Sequence, residues 1–243
     1  MRVKMVVAYD GTNYSGWQIQ PNGVTIEQKL NEALQALLGE DIRVTGASRT
    51  DAGVHSLGNV CIFDTDTRMP AEKISYALNQ RLPEDIVVQD SCEVPDTFHP
   101  RFSRSRKTYE YRILNRRFRM PTRRLDTYFY HYPLDVEKMQ EAADYLVGEH
   151  DFKSFCDNKR MKKSTIRRIS DIQINNSDGI ITIDFYGNGF LYHMVRILTG
   201  TLLMVGTHEL SCDDIPDIIE KKSRDAAGFT APPQGLCLVE VDY

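Results

Sequence analysis

Gly46-Ala47-Ser48-Arg49-Thr50-Asp51-Ala52-Gly53-Val54-His55-Ser56-Leu57-Gly58 stands between two apolar runs, Ile42-Arg43-Val44-Thr45 before it and Asn59-Val60-Cys61-Ile62-Phe63 after it. The β-type residues on either side and the glycines within it predict a strand, a loop and a second strand. Arg49 and Asp51 are two residues apart, so in an extended backbone both side chains project to the same side. A carboxylate beside a guanidinium offers a nucleophile or base next to a group that holds an anion. The same composition also fits a plain turn capped by Asp51, with Arg49 as its surface partner.

On the N-terminal side, Val3 to Tyr9 reads as a strand, followed by a turn-rich segment, Asp10-Gly11-Thr12-Asn13-Tyr14-Ser15-Gly16-Trp17-Gln18. Tyr14 and Trp17 fit either packing at the rim or stacking on a base. Thr25, with Gln28 three residues on, is an N-cap signal. Ile26, Leu30, Ala33, Leu34 and Leu37 or Leu38 form one helical stripe that should end near Gly39. Beyond the loop, Asn59 to Phe63 is a strand. A helix follows Pro70 with Ile74, Ala77 and Leu78 inward, and Ile86-Val87-Val88 starts another strand. The order β-α-β-β-α-β is that of a ferredoxin-like α+β unit with an antiparallel sheet.

The second half carries a similar pattern. Lys107 to Ile113 alternates at strand period, so Tyr109 and Tyr111 share a face. A helix opens at Pro133-Leu134-Asp135 and runs through Val147, with Gly148 as its cap. Thr165 to Ile174 and Gly179 to Phe185 read as a hairpin around Asn175-Asn176-Ser177-Asp178. Gly189 to Arg196 enters an apolar helix through Leu198, Leu202 and Val205. Arginine is rarely buried unpaired, so Arg196 inside that run must meet a carboxylate or a ligand phosphate. A short helix near Ile215 to Glu220 and a strand from Leu236 to Val241 close the chain. The expected fold is α+β: two ferredoxin-like (βαββαβ) halves, residues 1–104 and 105–243, with mostly antiparallel sheets side by side and a cleft between them.

Composition narrows the chemistry. The 243 residues carry 30 basic and 34 acidic side chains, a formal net charge of −4. Five scattered cysteines without a Cys-x-x-Cys pair argue against a zinc site, a redox pair or disulfides, and fit reduced thiols in the cytoplasm. The chain enters a strand-like run almost at once, with no N-terminal signal, and Phe190 to Gly206 is too short to span a bilayer. Neither Gly-x-x-x-x-Gly-Lys-Ser/Thr nor His-Glu-x-x-His occurs. The basic residues are unevenly placed. Arg101, Arg104, Arg106, Lys107, Arg112, Arg116, Arg117, Arg119, Arg123 and Arg124 lie together against the single acid Glu110. Lys159, Arg160, Lys162, Lys163, Arg167 and Arg168 form a second run. Two basic segments in an acidic chain suggest a positive face that binds phosphates.

Arg49-Thr50-Asp51-Ala52-Gly53-Val54-His55 resembles the signature of the TruA family of tRNA pseudouridine synthases. Further strings match at similar spacings: Tyr9-Asp10-Gly11…Tyr14…Gly16-Trp17-Gln18, Phe98-His99-Pro100-Arg101-Phe102-Ser103, Tyr109-Glu110-Tyr111, Gly148 to Phe155, and Phe190-Leu191-Tyr192-His193-Met194-Val195-Arg196. Two positions depart from the pattern, Pro100 for the common Ala and Ser48 for the usual Gly. The resemblance implies an isomerase that converts uridine to pseudouridine in the anticodon arm of tRNA at positions 38–40. It also implies a cytoplasmic homodimer that needs no cofactor, metal or membrane. Asp51 would be the catalytic carboxylate, acting at the ribose C1′, at the uracil C6 or as a proton acceptor. Arg196 would keep it charged and aligned, and Tyr109 would stack on the everted base. Arg49 would hold the RNA or fill the space left by the base. His55, Arg101, Arg106 and Lys107 would complete the substrate-binding set. Two other classes share some features: a non-catalytic RNA-binding protein of the same fold, which would not require Asp51, and a glycoside-cleaving enzyme, which would want paired carboxylates.

Overall fold

A computed structural model describes residues 1–158, 161 and 163–243. Elements follow in the order β1 (Arg2–Tyr9), α1 (Ile26–Leu38), β2 (Thr45–Gly46), β3 (His55–Asp64), α2 (Ala71–Asn79) and β4 (Ile86–Val94). Next come β5 (Arg106–Leu114), β6 (Tyr128–Phe129), α3 (Val136–Asp144), β7 (Gly148–Asp151), β8 (Ile166–Ser177) and β9 (Ile180–Gly187). The chain ends with α4 (Met194–Gly206), α5 (Asp214–Lys221) and β10 (Leu236–Asp242). Contacts group these into two compact units, Met1–Ser105 with Cys237–Tyr243, and Arg106–Leu236. The last strand, which chain order alone places in the second half, belongs by its contacts to the first unit.

In the first unit β1 is central and pairs antiparallel with both β3 and β4. Its residues alternate at period two, which buries Val3, Met5, Val7 and Tyr9 on one face. On that face lie Ile26, Leu30 and Leu34 of α1 with Ile74 and Leu78 of α2, forming one core. Helix α1 starts where the capping signal predicts, with Thr25 Oγ1 accepting the Gln28 N–H at 3.3 Å, and stops at Gly39 with φ 72°.

Three local expectations change. The strand expected over Ile42 to Thr45 shrinks to Thr45–Gly46, because the Val44 N–H donates to Asn31 Oδ1 of α1 (2.9 Å) rather than to a ladder carbonyl. The following strand begins at His55, four residues early, so the loop between β2 and β3 is only residues 47–54. Trp17 is neither rim nor stacking platform: it is 1% exposed and packs in the core beneath Gly46.

The sheet of the second unit runs β5-β9-β8-β7, with every neighbouring pair antiparallel, and β6 pairs parallel with β5. Tyr109, Tyr111 and Ile113 share the buried face of β5, as their spacing predicts. Helix α3 ends at Asp144 because Leu146 and Val147 bond back to Ala143 and Asp144 in tight i−3 turns. Gly148 therefore opens β7, at φ 123°, and caps nothing. The hairpin turn is Asp178-Gly179, with φ 50° and 72° between paired Ser177 and Ile180, as a two-residue type I′ turn requires. Helix α4 is buried almost all round, including Ile197, Leu198, Leu202 and Leu203. Among the described residues no helix is long and apolar enough to cross a membrane.

Candidate active site

The loop 47–54 is held from below by side chains that act as substitute ladder partners. Asn59 of β3 is fully buried; its Oδ1 accepts the Ser48 N–H (3.2 Å) and its Nδ2 donates to the Ser48 carbonyl (3.0 Å). One amide side chain thus copies both halves of an antiparallel pairing where β2 has stopped. The same Nδ2 reaches Tyr9 Oη at 3.4 Å, and Tyr9 Oη shares a 2.8 Å hydrogen bond with Thr50 Oγ1. Thr50 is buried while Arg49 is exposed and Asp51 half-buried. Thr50 is thus pinned inward between two less buried neighbours. Ser48 does not adopt positive φ, so serine at this position costs no backbone strain.

Above the loop lies the Asp10–Trp17 segment. Thr50 O accepts from Trp17 N (3.1 Å), and Tyr14 O accepts from Gly53 N (3.2 Å). A Cβ at Gly16, whose φ is 85°, would stand 2.6 Å from Thr50 O; one at Gly11 would stand 2.0 Å from Val54 O. These two glycines are therefore close-approach positions, not hinges. Asp51 itself begins a tight turn, since Val54 N donates to Asp51 O (3.2 Å) with Gly53 at φ 77°. His55 follows in β3, half-buried, with Nδ1 3.1 Å from both Gly11 N and Asp10 Oδ1. As neutral imidazole that nitrogen accepts from Gly11; as imidazolium it donates to Asp10. Asp10 is held below the usual carboxylate range by Thr12 and His55, which outweigh its partial burial.

Arg101 belongs to the same unit and lies within electrostatic reach of Arg49. Partial burial and then the Arg49 charge push it below the ordinary arginine value, with Glu27 opposing.

Four expected site residues lie in the second unit. Arg106 is exposed and Lys107 half-buried at the start of β5. Tyr109 is 9% exposed and meets Phe190 edge-on, with centroids 5.2 Å apart. Arg196 sits in the first turn of α4; its Nε donates to Ala231 O (2.7 Å), and the Ala231 N–H returns a bond to Arg196 O (3.1 Å).

The basic run from Arg101 to Arg124 carries less available charge than chain order suggests. Arg116 pairs with Asp178 (2.6 Å), Arg123 with Asp126 (3.2 Å), and Arg112 with Glu110 (2.5 Å). Asp126 is a local partner, three residues beyond Arg123, whereas folding brings Asp178 to Arg116 from 62 positions away. Of the second basic run, Lys159, Arg160 and Lys162 lie outside the described residues. Among the described residues no group of three or more His, Cys, Asp or Glu side chains is arranged to hold a metal ion.

The family model described as tRNA pseudouridine synthase matches residues 5–103 and 142–243. The chain belongs to the tRNA pseudouridine synthase family. Members are isomerases, and full-length relatives carry the same description. It is 50% identical over 241 residues to a protein of Thermoanaerobacter pseudethanolicus named tRNA pseudouridine synthase A, covering 99% of each chain. The proteins of that name from Acetivibrio thermocellus and Geotalea uraniireducens are 46% and 45% identical over 241 and 242 residues, again covering 99% or more of each chain. In this synthase the Arg49–His55 string is the loop that Asn59, Tyr9 and the Asp10–Trp17 segment hold in place. The sequence reading missed that support. Its signals were an Asn inside an apolar strand and glycines next to the only tryptophan and next to Asp10.

Proposed function

We propose that this synthase converts uridine to pseudouridine at positions 38–40 in the anticodon arm of tRNA, working as a cytoplasmic homodimer. Asp51 supplies the catalytic carboxylate, Arg196 is its ion-pair partner, and Tyr109 stacks on the everted uracil. Arg49, His55, Arg101, Arg106 and Lys107 hold the RNA. The support is the Asp51 loop: its main chain is fixed by buried side chains and by close-approach glycines, while Arg49 is exposed and Asp51 half-buried. Such preorganisation is what a group that must attack in one geometry needs. The base leaves the stack, detaches, turns and rejoins through C5, a sequence that is redox-neutral and consumes no co-substrate.

The test is release of tritium from C5-labelled uridine in tRNA. Wild type should release label, and Asp51→Ala should bind tRNA but release none. Turnover retained by Asp51→Ala would end the assignment. Substrates with uridine only at 38, 39 or 40, or at none of them, test the positional reading. Sedimentation of the free enzyme tests the dimer.

A further inference from the structure

The stretch His193 to Arg196 breaks three local rules at once. His193 adopts φ 61°, a left-handed conformation that β-carbon-bearing residues avoid. It occupies the N-cap of α4, yet its side chain caps none of the free N–H groups. A cation, Arg196, stands in the first turn, where the helix dipole disfavours positive charge. Local features this unfavourable persist only where the surroundings impose them, and they concentrate at functional sites.

The group that holds the His193 side chain is Asp157. Its Oδ2 lies 2.6 Å from His193 Nδ1 and accepts from Thr230 Oγ1 (3.2 Å), and its Oδ1 accepts from Arg224 Nε (2.6 Å). The Asp157 N–H also donates to Tyr192 O (3.4 Å). Arg224 Nη2 in turn donates to Thr230 Oγ1 (3.0 Å), and Nη1 to Gly228 O (2.8 Å). One half-buried carboxylate therefore ties the residue at the head of α4 to the segment just before Ala231. Ala231 is the residue whose carbonyl holds Arg196 Nε and whose N–H is held by Arg196 O. Asp157 thus fixes both ends of the frame in which the guanidinium sits: its helix, through His193, and its carbonyl anchor, through Thr230. Its carboxyl lies below the usual range because the bonds from His193 and Arg224 outweigh its partial burial.

We propose that Asp157, with His193, Arg224 and Thr230, is a positioning clasp for Arg196. It diverts the His193 side chain from capping α4 in order to set the direction of the guanidinium. The proposal rests on the reading that Arg196 partners the catalytic carboxylate. The clasp touches no reacting atom, so it should act on turnover and not on RNA affinity.

The experiment is a double-mutant cycle in full-length enzyme, read as single-turnover rate on tRNA together with tRNA affinity and thermal midpoint. Arg196→Lys comes first. If it turns over like wild type, the reading of Arg196 falls, whatever the clasp does. If Arg196→Lys is slow, Asp157→Asn should lower the wild-type rate by about ten- to a hundredfold, the scale set by a displacement near 1 Å. Affinity should stay within about twofold, because no phosphate contact is removed. In the Arg196→Lys background the same substitution should cost little more. Equal losses in both backgrounds, or an unchanged rate for Asp157→Asn, would overturn the clasp while leaving the role of Arg196 standing. Should Asp157→Asn fail to fold, His193→Asn and His193→Ala take its place. Asparagine tolerates the left-handed conformation and keeps a donor toward Asp157, so it should retain more of the rate than alanine. The same rate for the two variants would also refute the proposal.

Discussion

Asn59→Ala is the sharpest test of how the Asp51 loop is held. The substitution removes a fully buried amide that satisfies the Ser48 N–H at 3.2 Å and the Ser48 carbonyl at 3.0 Å. Ser48 is itself 4% exposed, so water has little access to either group in the folded state. Each unmade buried hydrogen bond costs about 1–3 kcal/mol, and two of them, with the small void left behind, give about 4 kcal/mol. The Tyr9–Thr50 bond survives, so the fold should persist with a looser loop. Urea unfolding read from the midpoint and slope measures the loss, and single-turnover rates on tRNA measure the loop. The expected result is a loss near 4 kcal/mol with a lower rate and nearly unchanged tRNA affinity. Asn59→Asp keeps the acceptor for the Ser48 N–H but sets a carboxylate against the Ser48 carbonyl, so it should not restore stability. A loss under about 1 kcal/mol for the alanine variant would mean that this side chain is not the missing ladder partner.

Three further outcomes follow from other parts of the molecule. Gly46→Ala places a Cβ about 2.5 Å from the indole of Trp17, so overpacking should cost about 2–3 kcal/mol and shift the emission of the chain's only tryptophan; native stability with unshifted emission would contradict the packing. Asp184 lies opposite Glu110, and burial followed by that neighbour raises its carboxyl to about 6, with Arg112 opposing. Its folded pKa lies above the unfolded one, so its contribution to stability is present below about pH 4 and is lost as pH rises through about 6. Asp184→Asn should therefore stabilise by about 1 kcal/mol at pH 7.5, a figure already reduced for solvent screening at a half-exposed site, and by almost nothing near pH 4; equal gains at both pH values in urea titrations would reject this. Arg101→Gln should weaken tRNA binding and lower the salt slope by about one, whereas Arg116→Gln, already paired with Asp178, should leave the slope nearly unchanged; equal changes in slope would show that ion pairing does not decide which arginines meet phosphate.

What chain order spells out is whatever neighbouring residues settle among themselves. Thr25, Gln28 and Gly39 delimit α1 because caps are contacts three or four residues long. The strand β1 and the period-two burial of β5 were legible for the same reason. The hairpin between β8 and β9 was legible too, although the reading set its loop over Asn175 to Asp178 and gave Gly179 to the strand, whereas the turn is Asp178-Gly179. The residue types for acid–base chemistry also stood in plain view, as the Arg49-Thr50-Asp51 string.

Only folding decided the rest, because each remaining choice depends on a partner far along the chain. Asn31 keeps β2 from starting before Thr45 and Asn59 replaces the ladder past its end, since a side-chain amide can displace a ladder that has too few residues to propagate. Trp17 enters the core because Gly46 leaves room for its ring. Asp178 reaches Arg116, whose charge looked available in the linear sequence. Asp157 reaches His193, Arg224 and Thr230 across 36, 67 and 73 positions. A hydrogen bond depends on atoms within about 3 Å and is indifferent to separation along the chain. Sequence therefore names the candidate groups for chemistry, and tertiary structure determines which others hold them still.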